Sequence, residues 1–539
     1  TTRKRTNAMS AAAIVALQAI TGFLALVGLP LFVVIAVLAL TFMASDNMTL
    51  YGFFDDIEPL FDQEHLLPIP LFTFAGFLLA RSDAPKRLVR LADALLGWAP
   101  GGLAMVAVCA CTFFTTFTGA SGVTIIALGG LLYPILMERK YPEQFSLGLL
   151  TSSGSLGLLF FPALPVFIFA LVYGLATPGQ SVMTPANLFL AGLIPGLLLT
   201  LVLCGYSAFM GVRYNIARTP FSFSELGVAF KGALGEALLP VFILVTILTG
   251  MLDINEIATL TCVYLLVLEV GIHRDIHVTK DLPKMVADSM VLVGAIVLIM
   301  TVVMPLTGYL NLNKIPEQIL GVLEKHIDSK IAFLLALNLF LLIVGCLMDI
   351  FSAIVAVVPL LVPFAERYGV HPLHLGVIFL VNLEIGYMTP PVGINLFISS
   401  FQFKKRVVTV YKSVVPYIIL LFGTLMIITY VPALSMWLPE QFMDQSAEPD
   451  LEQLHEEQSS EDLEREFGLE SDASDDGDLG GSEDGDLGSD SGDLDDGDLG
   501  GDDGELGDDG ELGDDGELGS DDPAPAETNQ KANASTDAS

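Results

Sequence analysis

Residues 101–137 read GGLAMVAVCACTFFTTFTGASGVTIIALGGLLYPILM, an apolar stretch of 37 residues broken near its middle by Thr118-Gly119-Ala120-Ser121-Gly122. One membrane crossing takes roughly 20 residues of helix, so the stretch is too long for a single pass, and glycine clustered with serine disfavours one unbroken helix. Lys and Arg concentrate in short cytoplasmic loops. Arg81, Lys86, Arg87 and Arg90 precede the stretch, and Arg139 and Lys140 follow it. Both ends therefore lie on the cytoplasmic side, and the stretch must enter and return. It reads as a re-entrant helical hairpin whose tip lies inside the membrane.

Working outward, apolar runs of spanning length recur at about 12–43, 66–80, 145–175, 186–212, 234–252, 254–272, 286–309, 331–366, 374–402 and 413–438. The chain of 539 residues is 53% hydrophobic and 16% charged with a mean hydropathy of +0.64, which excludes an ordinary soluble globular protein. An all-α polytopic membrane protein, surrounded by membrane lipid, is expected. The first run is too long for the core of a secretory signal, so it is expected to remain in the mature chain. Arg3-Lys4-Arg5 before it places the N-terminus in the cytoplasm, and Asp55, Asp56, Glu58, Asp62 and Glu64 mark an outer loop. Arg213, Arg218, Lys231, then His273, Arg274, Lys280 and Lys284, and finally Lys404-Lys405-Arg406, mark later cytoplasmic loops. Parity puts the loop from Asn311 to Lys330 outside. The run 331–366 then starts and ends outside, as a second hairpin of opposite orientation.

Two opposed hairpins imply an internal inverted repeat. At a constant offset of 229, Leu132, Pro134, Gly157 and Pro162 match Leu361, Pro363, Gly386 and Pro391, while Ser153 falls opposite Asn382. Each hairpin is followed by a helix interrupted by Gly and Pro, at Ser152 to Pro165 and at Asn382 to Gly393. Interrupted segments in corresponding halves point to the binding site of a secondary transporter. A helix broken at membrane depth leaves N–H and C=O groups that lipid cannot satisfy, so the break must line a cavity or hold a ligand. Carbonyls and the oxygens of Ser, Thr and Asn suit Na⁺, and half-helix N-termini suit a carboxylate.

The candidate cation ligands are Thr118, Gly119, Ser121 and Ser153 in one half and Gly345, Asp349, Asn382 and Gly386 in the other. Thr118–Gly122 is expected to face Ser152–Ser155, and Gly345–Ser352 to face Asn382 and Gly386–Thr389. Ser155, Thr389 and Pro390 are the candidate substrate contacts. Gly and Ser also serve close helix packing, and Asp349 could equally cap the second half of its hairpin; both readings stand at this point. Glu384 could face a solvated vestibule, and His371 and His374 read as loop or helix-start residues. The five cysteines lie in apolar runs without paired spacing and read as packing residues. No HExxH, GxSxG or P-loop pattern occurs, so neither an enzyme nor an ATP-driven pump is indicated, and no organic cofactor is expected.

From Gly28-Leu29-Pro30 to Leu438-Pro439 the chain resembles the large membrane (permease) subunit of tripartite ATP-independent periplasmic (TRAP) transporters. The resemblance is carried by Leu67-Pro68-Ile69-Pro70-Leu71-Phe72, Thr118-Gly119-Ala120-Ser121-Gly122, Ser152-Ser153 with Gly157, Leu190-Ala191-Gly192-Leu193-Ile194-Pro195-Gly196, Met348-Asp349 and, most specifically, Thr389-Pro390-Pro391-Val392-Gly393. It implies an elevator-type, Na⁺-coupled importer of organic acids such as C4-dicarboxylates or sialic acid. It also implies a small membrane subunit, expected here as a separate polypeptide, and an extracytoplasmic substrate-binding protein. Val123-Thr124 and Pro162-Ala163-Leu164 depart from the family pattern, which often has a second Ser at the first place and Pro-Pro-Ser at the second. A stand-alone carrier or antiporter on the same scaffold is the alternative.

The net charge of -36 belongs almost wholly to residues 441–539, where 36 acidic residues face only Arg465 and Lys531. With residues 1–440 nearly neutral, no basic stripe for a nucleic acid exists. Three copies of Asp-Asp-Gly-Glu-Leu-Gly start at Asp502, Asp508 and Asp514. Such a segment cannot bury a core and is expected to be a disordered, extracytoplasmic tail.

Overall fold

A computed structural model of the chain describes residues 16–442, apart from 24–28, 47, 49, 62–65, 178–182, 219 and 328. Arg3-Lys4-Arg5 and the tail from 443 onward lie outside the described residues; Gln441 and Phe442 close the last helix, Ala433–Phe442. Every regular element among the described residues is helical. Among the described residues, seven helices are long and apolar enough to cross a membrane, or up to nine if two bent pairs each count as one crossing.

The first hairpin has arms Gly102–Thr118 and Ser121–Glu138. Thr115 Oγ1 and Thr124 Oγ1, nine residues apart, lie 2.6 Å from each other, whereas a continuous helix would hold them about 13 Å apart. The chain therefore reverses between them. Gly119 makes the turn at φ +60°, a left-handed conformation that a residue without Cβ adopts freely. The second hairpin has arms Lys330–Leu347 and Ile350–Arg367. Its ends meet where Phe333 stacks on Tyr368, with ring centroids 4.3 Å apart.

Each hairpin leads into a broken helix. The first comprises Glu143–Ser153, a short 3₁₀ turn at Leu156–Leu159 and Leu164–Ala176, with a 44° bend across the break. The second comprises Pro372–Gly386 and Ile394–Gln402. Cis peptide bonds occur at Phe161–Pro162 and Pro390–Pro391. Gly157 presses on the first arm of the first hairpin, where a Cβ would lie 2.3 Å from the Thr112 carbonyl oxygen. Gly386 presses likewise on the second hairpin, where a Cβ would lie 2.6 Å from the Gly345 carbonyl carbon. The same crossing thus occurs in both halves at the offset of 229. Beneath the first break, Phe72, Phe161, Phe167 and Phe189 pack with neighbouring centroids 5.0–5.6 Å apart.

Around this pair of units, Leu31–Ser45 packs along Leu282–Leu312, and Pro68–Arg81 packs on Ile254–Leu266. Only 33% of the apolar window of Leu282–Leu312 is buried within the chain, which leaves its outer face for lipid or another membrane helix. The amphipathic helix Ala84–Leu96 is anchored by Arg87, whose guanidinium bonds Glu236 at 2.5 Å, Asp275 at 2.7 Å and Glu269 at 2.9 Å. The expected run 413–438 is divided at Pro432 into Val407–Tyr430 and Ala433–Phe442, because proline supplies no N–H to continue the helix.

Candidate ion and substrate site

In the first half, the hairpin is tied to the break by a residue outside the expected tip. Thr115 Oγ1 donates to the Gly154 carbonyl at 2.9 Å while contacting Thr124. Thr118 is buried, and its hydroxyl lies 3.5 Å from the carbonyls of Thr115 and Ala120, within its own turn. Gly119 sits against Leu164, where the helix resumes after the break. Ser121 reaches across to the other half, its hydroxyl 2.8 Å from Asn395 Oδ1. The expected facing of Thr118–Gly122 on Ser152–Ser155 is therefore not made by the hydroxyls of that segment: Thr115, outside it, makes the contact, and Ser121 belongs with the second break.

Ser152 and Ser153 are fully buried, and neither hydroxyl has a hydrogen-bond partner of ordinary geometry. The Cys111 thiol is the neighbour of Ser153. Ser155, also fully buried, places its hydroxyl 3.2 Å from the Ser152 carbonyl and 3.4 Å from the Glu384 carbonyl. Ser155 and Glu384 are 229 residues apart, so equivalent positions of the two halves touch here.

In the second half, Gly345 and Gly386 meet backbone to backbone. Their role in this geometry is close packing, which brings the carbonyls of both segments together. Asn382 donates to Asn338 Oδ1 at 2.7 Å and to the Ile378 carbonyl at 2.8 Å, and its own Oδ1 is buried without a partner. Asp349 is half-buried and caps the second arm, accepting the Ser352 N–H at 3.0 Å. The Tyr387 hydroxyl accepts the next free amide, that of Ile350. Thr389 donates to the Ile385 carbonyl at 2.8 Å. The expected substrate contacts do not form one buried cluster: Ser155 is fully enclosed, Thr389 half-buried and Pro390 exposed.

Glu384 is 2% exposed, so the expected solvated vestibule is absent at this side chain. His371 caps Pro372–Gly386 through Leu373, and His374 is buried between Ser435 and the Thr429 carbonyl. Among the described residues no group of three or more His, Cys, Asp or Glu side chains is placed to hold a metal ion. A cation in either break would be held by hydroxyl, amide and carbonyl oxygens.

Thr115, Thr124, Asn338 and Asn395 escaped the reading of the sequence. The two asparagines carried a signal, since each is a lone carboxamide in an apolar run. Thr115 carried none, because Thr112, Thr115, Thr116 and Thr118 crowd one segment and only the turn at Gly119 decides which hydroxyl meets Thr124.

Residues 9–434 match the family described as tripartite ATP-independent periplasmic transporter, DctM component. The chain is 33% identical over 399 residues to the C4-dicarboxylate TRAP transporter large permease protein DctM of Vibrio cholerae, covering 70% of this chain and 86% of that protein. It is 32% identical over 381 residues to the isethionate TRAP transporter permease protein DctMQ of Oleidesulfovibrio alaskensis, and there it covers 70% of this chain but only 58% of the relative. Similarity also extends to the 2,3-diketo-L-gulonate TRAP transporter large permease protein YiaN of Escherichia coli, at 27% identity over 69% of this chain and 86% of that one. Among solved structures, the YdaH transporter of Alcanivorax borkumensis is similar in fold, with a TM-score of 0.52, 14% identity and coverage of 72% of this chain and 90% of that one.

Proposed function

Because the chain belongs to the DctM family of tripartite ATP-independent periplasmic transporters, a family of inner-membrane transport proteins and not of enzymes, we propose that it is the permease of a Na⁺-coupled importer of small organic acids that depends on a substrate-binding protein. The observation that carries the cation coupling is the set of buried oxygens at the two breaks: Ser152 Oγ and Asn382 Oδ1, which have no hydrogen-bond partner, and Ser153 Oγ, which has only the Cys111 thiol beside it. Buried polar atoms are normally hydrogen-bonded, and a dehydrated Na⁺ takes several neutral oxygens of this kind. The carboxylate class is supported by relatives named for C4-dicarboxylates and for 2,3-diketo-L-gulonate. A separate small membrane subunit and an extracytoplasmic binding protein complete the assembly, the former lying on the lipid-facing scaffold. The unit of hairpins and broken helices moves as an elevator against that scaffold, with the N-terminus cytoplasmic and the acidic tail outside.

Reconstitution into liposomes tests this. Uptake is expected only with the small subunit, the cognate binding protein and an inward Na⁺ gradient together; uptake by this chain alone would instead establish a stand-alone carrier. At the sites, Ser153→Ala and Asn382→Ala should each lower uptake at limiting Na⁺ and recover at least partly at high Na⁺, after normalisation to folded protein. Unchanged Na⁺ dependence in both variants would leave these side chains as packing.

A further inference from the structure

Between the second hairpin and the broken helix behind it lies a buried pair of carboxamides. Asn338 stands on the first arm, Lys330–Leu347, about two turns before the crossing at Gly345. Asn382 stands on Pro372–Gly386, about one turn before Gly386 at the same crossing. Asn338, Asn382 and Thr429, the last on Val407–Tyr430, have no exposed surface.

A carboxamide has an oxygen end and a nitrogen end, and here the surrounding bonds decide which end lies where. Asn338 Nδ2 donates to the Leu334 carbonyl at 2.7 Å, and Asn382 Nδ2 donates to the Ile378 carbonyl at 2.8 Å. A main-chain carbonyl only accepts, so each nitrogen end is fixed against the preceding turn of its own helix. The second N–H of Asn382 goes to Asn338 Oδ1 at 2.7 Å. Thr429 Oγ1, 3.3 Å from Nδ2 and 3.4 Å from Oδ1 of Asn338, closes the far side of the pair. Every polar atom of the two side chains is thereby engaged except Asn382 Oδ1. Turning that amide over would set its oxygen against two other oxygens, so the bare atom is an oxygen and not an N–H. Asparagines that only tied helices together would not leave one buried acceptor idle. A bare oxygen suits a cation and repels a carboxylate.

The first half lacks this device. The residue 229 positions before Asn338 is Cys109, whose thiol meets that of Cys204 at 3.8 Å. The counterpart of Asn382 is Ser153, whose hydroxyl can turn about its own C–O bond. The oxygen at the second break is aimed in advance, and an amide on the neighbouring helix aims it.

We propose that Asn338 is a positioning residue for the coupling cation at the second break: by accepting one N–H of Asn382 it holds Asn382 Oδ1 in place for a dehydrated Na⁺, without touching the cation itself. The inference rests on the Na⁺-coupled reading above and deepens it by naming the residue that orients one of the ligands. Loss of a group that orients a metal ligand weakens metal binding roughly ten- to a hundredfold. The lower end, about tenfold, is expected here, because the Ile378 carbonyl still holds the other N–H of Asn382.

Thermal unfolding of the purified full-length protein in lipid nanodiscs, with NaCl replacing choline chloride at constant ionic strength, reads Na⁺ binding without transport, since a ligand of the folded state raises its melting temperature. Asn338→Leu, which keeps the bulk but accepts nothing, should need about tenfold more Na⁺ for half of that rise. Asn338→Ala removes the same acceptor, so a folding failure of one variant leaves the other to decide. Asn338→Asp, which keeps an oxygen in reach of Asn382, should stay near wild type, as should Cys109→Ala at the equivalent place in the first half. A melting temperature lowered in choline chloride with an unchanged Na⁺ requirement marks a merely structural role and overturns the proposal. A shift in Asn338→Asp or Cys109→Ala as large as that in Asn338→Leu overturns it too. If the wild type itself does not respond to Na⁺, the Na⁺ assignment fails and this one falls with it; a responsive wild type with responsive Asn338→Leu and Asn338→Ala at the same Na⁺ concentration removes Asn338 alone.

Discussion

Replacing Arg87 by alanine should destabilise the protein through the three carboxylates that its helix, Ala84–Leu96, holds. The side chain is 18% exposed and serves Glu236 and Glu269, both fully buried, together with Asp275 at 16%. One guanidinium faces three carboxyl groups, so its loss leaves them together in one pocket with only His273, 3.9 Å from Glu236, beside them. Removing one partner of a buried ion pair costs about 3–5 kcal/mol. The four guanidinium hydrogen bonds would nominally sum to more, but bonds within one network are not additive. We take about 3 kcal/mol, allowing for partial solvent access to Asp275 and Arg87. Arg87→Lys keeps the charge but has no planar fork to span three partners, and should lose roughly half as much. Thermal unfolding of the purified protein, followed by fluorescence-detected gel filtration, should show Arg87→Ala melting roughly 3–6 °C below wild type, since large chains shift less per kcal/mol than small domains. Adding Glu269→Gln to Arg87→Ala should restore part of the loss. An unchanged melting temperature in Arg87→Ala, or a further drop in the double variant, would refute the account of this cluster.

At the two helix crossings, Gly157→Ala and Gly386→Ala should each cost about 1–3 kcal/mol through overpacking, because the new Cβ would meet backbone at 2.3 Å and 2.6 Å. Gly174→Ala and Gly423→Ala, where a Cβ would meet no atom of the described residues within 4 Å beyond its own stretch of helix, serve as controls expected to melt at or slightly above wild type. Burial works against the charged form of Asp275, but hydrogen bonds from Arg87 and from the Asp83 backbone hold it below its ordinary value of 3.8. Its stabilising contribution is therefore complete above that value and is lost as the pH falls through the depressed one; melting curves on acidification should fall less steeply in Asp275→Asn. Cysteines placed at Arg139 and Lys404 should label only from the cytoplasm, and one at Lys325 only from outside; any reversal removes the argument for opposed hairpins.

The hairpins and the broken helices were readable in the sequence because lipid imposes simple rules. Twenty apolar residues make one pass, Gly-Ser clusters interrupt it, and basic loops mark one side, so residues 101–137 and 331–366 could be assigned as returning segments before any coordinates. The offset of 229 was visible in only four identities, yet it also places Gly157 and Gly386 at equivalent crossings and brings Ser155 onto Glu384. What the sequence did not reveal was direction. Rotation about a helix axis decides whether Thr115 or Thr118 meets the break, and no local pattern fixes that rotation. Ser121 was assigned to its own half because proximity along the chain was the only available guide, while the fold carries it across to Asn395. The enclosure of Glu384 was hidden for a related reason: a carboxyl in an apolar run is equally compatible with a water-filled recess and with complete burial, and only packing distinguishes them.

The contact between Gly386 and Gly345 constrains how the protein can move. Where side chains separate two helices, rotamer changes let one slide past the other like gears with slack. Here the backbones touch, and there is no slack to take up. The first arm of the second hairpin and the broken helix behind it must then travel as one rigid lever, and Gly157 on Thr112 welds the first half in the same way. If this unit moves against the surrounding helices, a disulfide engineered across either glycine crossing should leave that movement intact, because the two backbones there already travel together.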